Sequence, residues 1–264
     1  MKELTQNELR EVQIGILDYV HNFCQENNIK YSLACGTLLG AVRHQGYIPW
    51  DDDIDIYMLR PDYEQFLRVF PFKKAKFVVG ALENRKDYFY YIAKVENTDT
   101  ILEEYVNVRT KIGVNIDIFP LDNVPDNLFL RKLFFKLVSV LNAIIVLKNV
   151  SIKSDRAFLK NAILLIGRIF FSFIPMRLIL CAMNSFPKLF NGRQTKQISE
   201  VSANAGVFNR SVMDEIIMLP FENKEYCAMK DYHQYLTAQY GDYMQLPPEE
   251  KRITHHAFKA YWKD

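Results

Sequence analysis

The sequence predicts an α+β (α/β-like) fold: a mixed sheet core, flanking helices and an apolar, basic helical segment set into it. Three observations predict it. Helical and strand periodicities alternate through the first half of the chain. A dense acidic run, Asp51-Asp52-Asp53-Ile54-Asp55, sits inside apolar sequence rather than in a polar loop. From about Leu128 the composition turns apolar and its charge becomes almost wholly positive. The chain has 264 residues, 49% hydrophobic and 24% charged, which suits one large globular domain or one and a half.

The elements follow in order. Thr5-Gln6-Asn7-Glu8 reads as a capping box, and Leu9, Val12, Ile16, Val20 and Phe23 then make an apolar stripe at helical spacing, ended by Asn27-Asn28. Lys30 to Cys35 is a short strand. Gly36-Thr37 breaks it, and Leu38 to His44 is helical. Gln45-Gly46 turns into the acidic strand. Arg60-Pro61 opens a helix over 62–70, with proline at a tolerated first position. Strands are expected over 77–82, 88–96, 101–106 and 113–119. Residues 128–150 and 157–183 are helical, with Pro175 as a break. These helices either cover a core or lie on an anionic membrane surface, where Lys and Arg sit beside Leu, Ile and Phe. Asp231 to Tyr240 is a further helix, and Glu249 to Trp262 reads as the last one.

Bulk numbers remove several function classes. A net charge of +2 gives no electrostatic footprint for nucleic acid. Cysteines 24, 35, 181 and 227 are scattered without a CxxC pair, which fits a reducing compartment better than a disulfide or zinc framework. The first residues carry no apolar leader, and no run reaches the ~18 apolar residues of a membrane span, so cytoplasmic placement is expected.

The acidic run carries the chemistry. At ~4 Å and an effective dielectric of ~20, each pair of like charges costs roughly 4 kcal/mol. Such a cluster persists only if it is solvated or held by a cation, and alone it fits an acidic turn as well as a metal site. On a strand, Asp51, Asp53 and Asp55 share one face and Asp52 faces away. Oxygen-only ligands favour Mg²⁺ or Mn²⁺. Two further pieces decide for a catalytic metal site. Gly36-Thr37 puts a hydroxyl and backbone N–H groups at a helix start, where phosphate binds. Asp117 lies between isoleucines in an apolar strand, where an unpartnered carboxylate is costly. A hydroxyl-bearing helix start with three strand carboxylates suits phosphoryl transfer assisted by two metal ions.

The run Gly36-Thr37-Leu38-Leu39-Gly40-Ala41-Val42-Arg43-His44-Gln45-Gly46-Tyr47-Ile48-Pro49-Trp50-Asp51-Asp52-Asp53-Ile54-Asp55-Ile56 resembles the signature of the LicD phosphocholine-transferase family, which includes the fukutin-related proteins. Ile116 to Asp122, Tyr240 to Met244, Pro247-Pro248 and Arg252 to His256 are similar to its other motifs. The resemblance implies a nucleotidyltransferase-type core over 1–127 and a part over 191–264 that completes the catalytic domain; the apolar, basic residues 128–190 between them lie outside it and read from composition as a helical insert that can face a membrane. It implies Asp53, Asp55 and Asp117 as catalytic metal carboxylates with Asp51 as helper, and Mg²⁺ or Mn²⁺, two ions, as cofactor. Gly36 and Thr37 match the phosphate-holding turn, and Arg43 suits a diphosphate oxygen.

The implied reaction moves a phospho-alcohol, phosphocholine from CDP-choline first, to a hydroxyl of a cell-surface glycan precursor such as teichoic acid, lipopolysaccharide or capsule, releasing CMP. Partners are then a CDP-linked donor and a lipid-linked glycan at the inner face of the membrane, with peripheral membrane contact. A choline pocket needs aromatics, for which Trp50 and Tyr88-Phe89-Tyr90-Tyr91 are the candidates, although such runs also build core strands. Lys94 can neutralise phosphate or be an exposed strand lysine. His255 and His256 can supply a base or a phosphate contact, or form a surface pair. The residues alone also admit a nucleotidyltransferase releasing pyrophosphate from an NTP, or a non-catalytic metal- or glycan-binding module.

Overall fold

The computed structural model describes residues 1–104, 110–150, 158–193, 195–201, 206–254 and 258–264. The elements are β1 (Lys2–Glu3), α1 (Gln6–Glu26), β2 (Ser32–Leu33), α2 (Cys35–His44), β3 (Asp55–Leu59), α3 (Arg60–Val69), β4 (Phe77–Gly80), β5 (Ala93–Asn97), β6 (Thr100–Glu104) and β7 (Asn115–Val124). Then come α4 (Leu128–Asn149), α5 (Phe158–Phe170), α6 (Met176–Ser185), β8 (Gln197–Glu200), β9 (Phe208–Asn209), β10 (Ile216–Phe221), β11 (Lys224–Met229), α7 (Tyr232–Tyr240) and β12 (Phe258–Trp262). The fold is mixed α+β.

The main sheet runs β2-β3-β7-β5-β4, with β8 added to β7 and β9 to β8. β3 and β7 are parallel; the other pairs are antiparallel. β7 is the organiser, because its ten residues serve three neighbours. Ile116 and Ile118 are buried while Asn115, Asp117 and Phe119 are half-buried on the other face, the alternation of a strand covered more heavily on one side. α1 and α3 pack on the sheet. The expected capping box starts α1: Glu8 N–H donates to Thr5 Oγ1 at 3.2 Å, and Thr5 N–H donates to Glu8 Oε2 at 2.8 Å. Leu9, Val12, Ile16 and Val20 join the main core, which continues through the β10–β11 hairpin and α7 to Ala260. Both ends of the chain therefore build one core.

The structure corrects four expected elements. The acidic strand begins only at Asp55, and α2 begins at Cys35 rather than Leu38. Cys35 takes φ of +47°, the left-handed conformation that lets the chain leave β2 and enter α2 within one residue. Residues 88–92 are not strand: Tyr88 is buried with its hydroxyl donating to Ile92 O at 2.9 Å, which folds the segment back on itself before β5. Among the described residues of 249–262 there is no α-helix. A 3-10 turn over Glu249–Lys251 leads to β12, which runs antiparallel between β1 and β6. Phe258, Tyr261 and Trp262 favour a pleated strand, and two open edges are there to receive it.

Candidate active site

The parallel register of β3 and β7 sets Asp55 beside Asp117, and the antiparallel register of β7 and β5 sets Asp117 beside Lys94. Three charged residues thus stand level on neighbouring strands. The Lys94 ammonium pairs with Asp117, also donates to Asn115 Oδ1 at 3.3 Å, and lies 4.8 Å from the centre of the Tyr90 ring. The reading of Lys94 as an exposed strand lysine is overturned, because the residue is buried. Burial alone lowers its proton affinity, but Asp117, Glu104 and Asp55 outweigh that and hold it above the ordinary lysine value.

Asp55 is buried too. Desolvation first, then Asp53, Asp117 and Glu200, push its carboxyl well above the ordinary carboxylate range, while Lys94 pulls the other way. Thr37 is tied to the same strand end: its Oγ1 accepts from Asp55 N–H at 2.8 Å. The Thr37 hydroxyl oxygen therefore anchors the start of β3, a bond that uses one lone pair and leaves the other and the proton.

Asp51, Asp52 and Asp53 form the second group, with one carboxylate oxygen from each lying within 4.8 Å of the others. This revises the face assignment of Asp52. Strand alternation does not reach residues 51–54, and an irregular turn lets consecutive carboxylates gather. α1 holds the turn by its carbonyls. Arg10 Nη2 donates to Asp51 O at 2.8 Å and to Pro49 O at 3.1 Å, and Gln13 Nε2 donates to Asp52 O at 2.9 Å. Gly36 permits this close approach, since a Cβ on it would come 2.5 Å from Asp51 Oδ2 and turn that carboxylate aside. The first turn of α2 is thereby pressed against the Asp51 carboxylate, a favourable contact for a helix N-terminus.

Other expected site residues fall nearby. Arg43 lies on the last turn of α2, where Nη1 donates to Tyr243 O at 2.8 Å and Nε donates to His44 Nε2 at 3.0 Å. It pins the Tyr240–Gln245 motif to α2. Trp50 carries the Arg252 guanidinium 5.8 Å from its ring centre. Arg43, Trp50, Tyr240, Tyr243 and Lys251 line an open cleft of about 480 Å³. Tyr240 of this lining has its phenol pushed up by burial first, and then by Cys35, Asp55, Glu200 and Asp51. His255 and His256 lie outside the described residues.

Residue-by-residue reading missed Glu200. It ends β8 opposite Leu121 and accepts from the Tyr57 hydroxyl at 2.8 Å; that hydroxyl is 3.1 Å from the Tyr235 hydroxyl and 3.3 Å from Cys35 Sγ. Its only sequence signal is the polar–apolar alternation of Gln197-Ile198-Ser199, which marks a strand but not the strand's partner.

The donor set tests the metal expectation. Asp51, Asp52 and Asp53 bring carboxylate oxygens alone within 4.8 Å of one another, while Asp55 and Asp117 stand level on neighbouring strands, and a hard divalent cation would relieve the repulsion among such groups. These residues fit Mg²⁺ or Mn²⁺.

The family model described as LicD/FKTN/FKRP, nucleotidyltransferase domain, matches residues 28–137. The chain is 32% identical to the lipopolysaccharide cholinephosphotransferase LicD of Haemophilus influenzae, over 99% of each protein. Shorter matches cover 19% of the chain: 53% identity to 16% of an uncharacterised protein of Rickettsia typhi, and 51% identity to 19% of one from Rickettsia prowazekii. Similarity that runs through the whole chain, together with the matched domain, makes this an enzyme of the phosphotransferase class. The chain belongs to the LicD family.

Proposed function

We propose that the protein transfers phosphocholine from CDP-choline to a hydroxyl of a cell-surface glycan precursor, releasing CMP. The observation that carries this reading is the level row of Asp55, Asp117 and Lys94 beside the Asp51–Asp53 cluster. It lies in a chain similar throughout to a protein named for lipopolysaccharide choline phosphate transfer. On this reading residues 1–127 and 191–264 form a catalytic domain of nucleotidyltransferase type, and 128–190 is a helical insert. The acceptor class is a lipid-linked envelope glycan, lipopolysaccharide first and teichoic acid or capsule next. Four free cysteines suit the cytoplasm as the compartment.

Asp51, Asp53, Asp55 and Asp117 would hold Mg²⁺ or Mn²⁺, which supplies charge neutralisation at the donor phosphate and acidifies the acceptor hydroxyl. The chain's own residues do the rest. Lys94 and the first turn of α2 at Gly36 and Thr37 draw the anionic diphosphate toward the carboxylates. The cleft receives the donor, its cations Arg43 and Lys251 facing phosphate and its rings Trp50 and Tyr240 facing the choline cation. The acceptor oxygen forms a bond to the phosphorus that bears choline. The bond from that phosphorus to the bridging oxygen breaks, and the electron pair leaves with CMP. The hydroxyl proton passes to Asp117 or Asp55.

A donor panel tests the reading. The protein with Mg²⁺ is incubated separately with CDP-choline, CDP-ethanolamine, CDP-ribitol, CDP-glycerol and CTP, and products are separated by chromatography. CMP from CDP-choline is the expected product. Pyrophosphate from CTP, with all CDP-alcohols intact, would replace the reading with nucleotidyl transfer.

A further inference from the structure

A second surface lies apart from the carboxylates. Along α5, Leu159, Ile163, Ile166 and Phe170 recur at helical spacing and are each more than half exposed; Phe173 in the next turn is 74% exposed. None of the described α5 side chains is buried. On α4, Phe129, Leu133, Leu137 and Val140 repeat the pattern, and only Phe134 and Val138 are buried. A surface helix of a water-soluble domain turns its polar side outward. Here the outward side is apolar.

The two helices are nevertheless firmly joined. Gly167 lets them close, because a Cβ there would come 2.9 Å from Leu147 Cδ2. Lys148 Nζ donates to Phe171 O at 2.7 Å, and Arg168 Nη2 donates to Val150 O at 2.6 Å. The exposed apolar side chains are therefore not a hairpin left unpacked. They are the face that remains after packing.

Charge identifies the occupant. Residues 128–190 hold ten of the 33 Lys and Arg but one of the 31 Asp and Glu, so this segment carries +9 and the rest of the chain −7. A second copy seated patch to patch would bring two like-charged faces together, each with Lys132, Lys136 and Lys160 exposed on it. No helix among the described residues is long and apolar enough to cross a membrane. Apolar side chains among basic ones, on helices that do not span, match an interfacial seat. We infer that the outer face of α4 and α5 docks on an anionic phospholipid bilayer. Tyr91 packs against the clusters that bind α4 and α6 to the sheet, α5 being joined to α4, and Asp117 and Glu200 both act on its phenol. The docked face and the carboxylates thus belong to one packed body. Docking extends the transfer reading by giving an amphiphilic acceptor its setting, and its test reads binding rather than turnover.

The test is flotation of the full chain with vesicles of phosphatidylcholine alone or with roughly one third phosphatidylglycerol, at low and high salt. The expected result is flotation with the anionic vesicles at low salt and release at high salt. Ile163→Ser/Ile166→Ser/Phe170→Ser, and separately Lys132→Glu/Lys136→Glu, should each reduce partitioning by at least about tenfold with unchanged circular dichroism. The charge-reversal pair lies at exposed positions, so it stands if the serine variant misfolds. Wild-type protein that stays in solution with anionic vesicles, or that binds both vesicle types equally, overturns the inference. So does a dimer, by light scattering, that the serine variant splits while vesicle binding is unchanged.

Discussion

Isoleucine behaves in opposite ways in two regions of this molecule. Ile54, Ile56, Ile116 and Ile118 around the acidic residues are fully buried, whereas Ile163, Ile166 and Ile169 on α5 are 56%, 67% and 66% exposed. In the sheet the apolar side chains hold β3 and β7 in the register that brings Asp55 to Asp117. On α4 and α5 equally apolar residues contribute little to the core. The difference teaches that hydrophobicity serves position in one region and surface contact in the other. Charge follows the same division: the sheet concentrates carboxylates at one place, and the helices carry nearly uniform positive charge.

The largest expected effect tests the first region. Asp55→Asn should lower transfer by about 10³-fold, the scale of losing a principal electrostatic group. Without divalent cations it should also stabilise the protein at neutral pH. The folded state raises the proton affinity of Asp55, so above the ordinary aspartate range the native state binds more protons than the unfolded chain. Stability then falls as pH rises through that window, and asparagine removes the dependence. Thermal melts in EDTA across pH, for wild type and variant, check the sign.

Arg60→Met comes next. Arg60 Nη2 meets Asp122 Oδ2 at 2.5 Å and Nε meets Oδ1 at 2.8 Å, with both residues buried, and Arg60 Nη1 donates to Asn184 Oδ1 at 3.1 Å. Arg60 thereby ties α3 to the sheet through Asp122 and to α6 through Asn184. Leaving Asp122 buried without its guanidinium should cost about 3–5 kcal/mol in chemical denaturation. The sharpest comparison pairs Ile56→Ala with Ile166→Ala. The first should cost about 2–5 kcal/mol as a core cavity, and the second less than about 0.5 kcal/mol as a surface change. Equal costs would mean that α5 is packed like the sheet and has no free face.

Much of the catalytic half was legible in the sequence because its signals are local. Thr5 and Glu8 announce α1, Arg60-Pro61 opens α3, and Asp117 between isoleucines marks an unusual strand. The helices after Leu128 were legible from composition. What escaped depends on distant pairing. Glu200 gains its meaning only from register with Leu121, and Lys94 only from register with Asp117. The sequence of β12 suggests a helix because its mixed charges hide an alternation that two separate strand edges enforce. Strand alternation points Asp52 away, but residues 51–54 lie in a turn that α1 holds through Arg10 and Gln13.

The most direct test of the central claim is CMP release from CDP-choline with a glycan acceptor, followed by chromatography for wild type, Asp53→Ala and wild type in EDTA. The account predicts CMP and choline-phosphorylated acceptor from wild type with Mg²⁺, and neither product from the other two. Near-normal CMP release by a folded Asp53→Ala protein would contradict it.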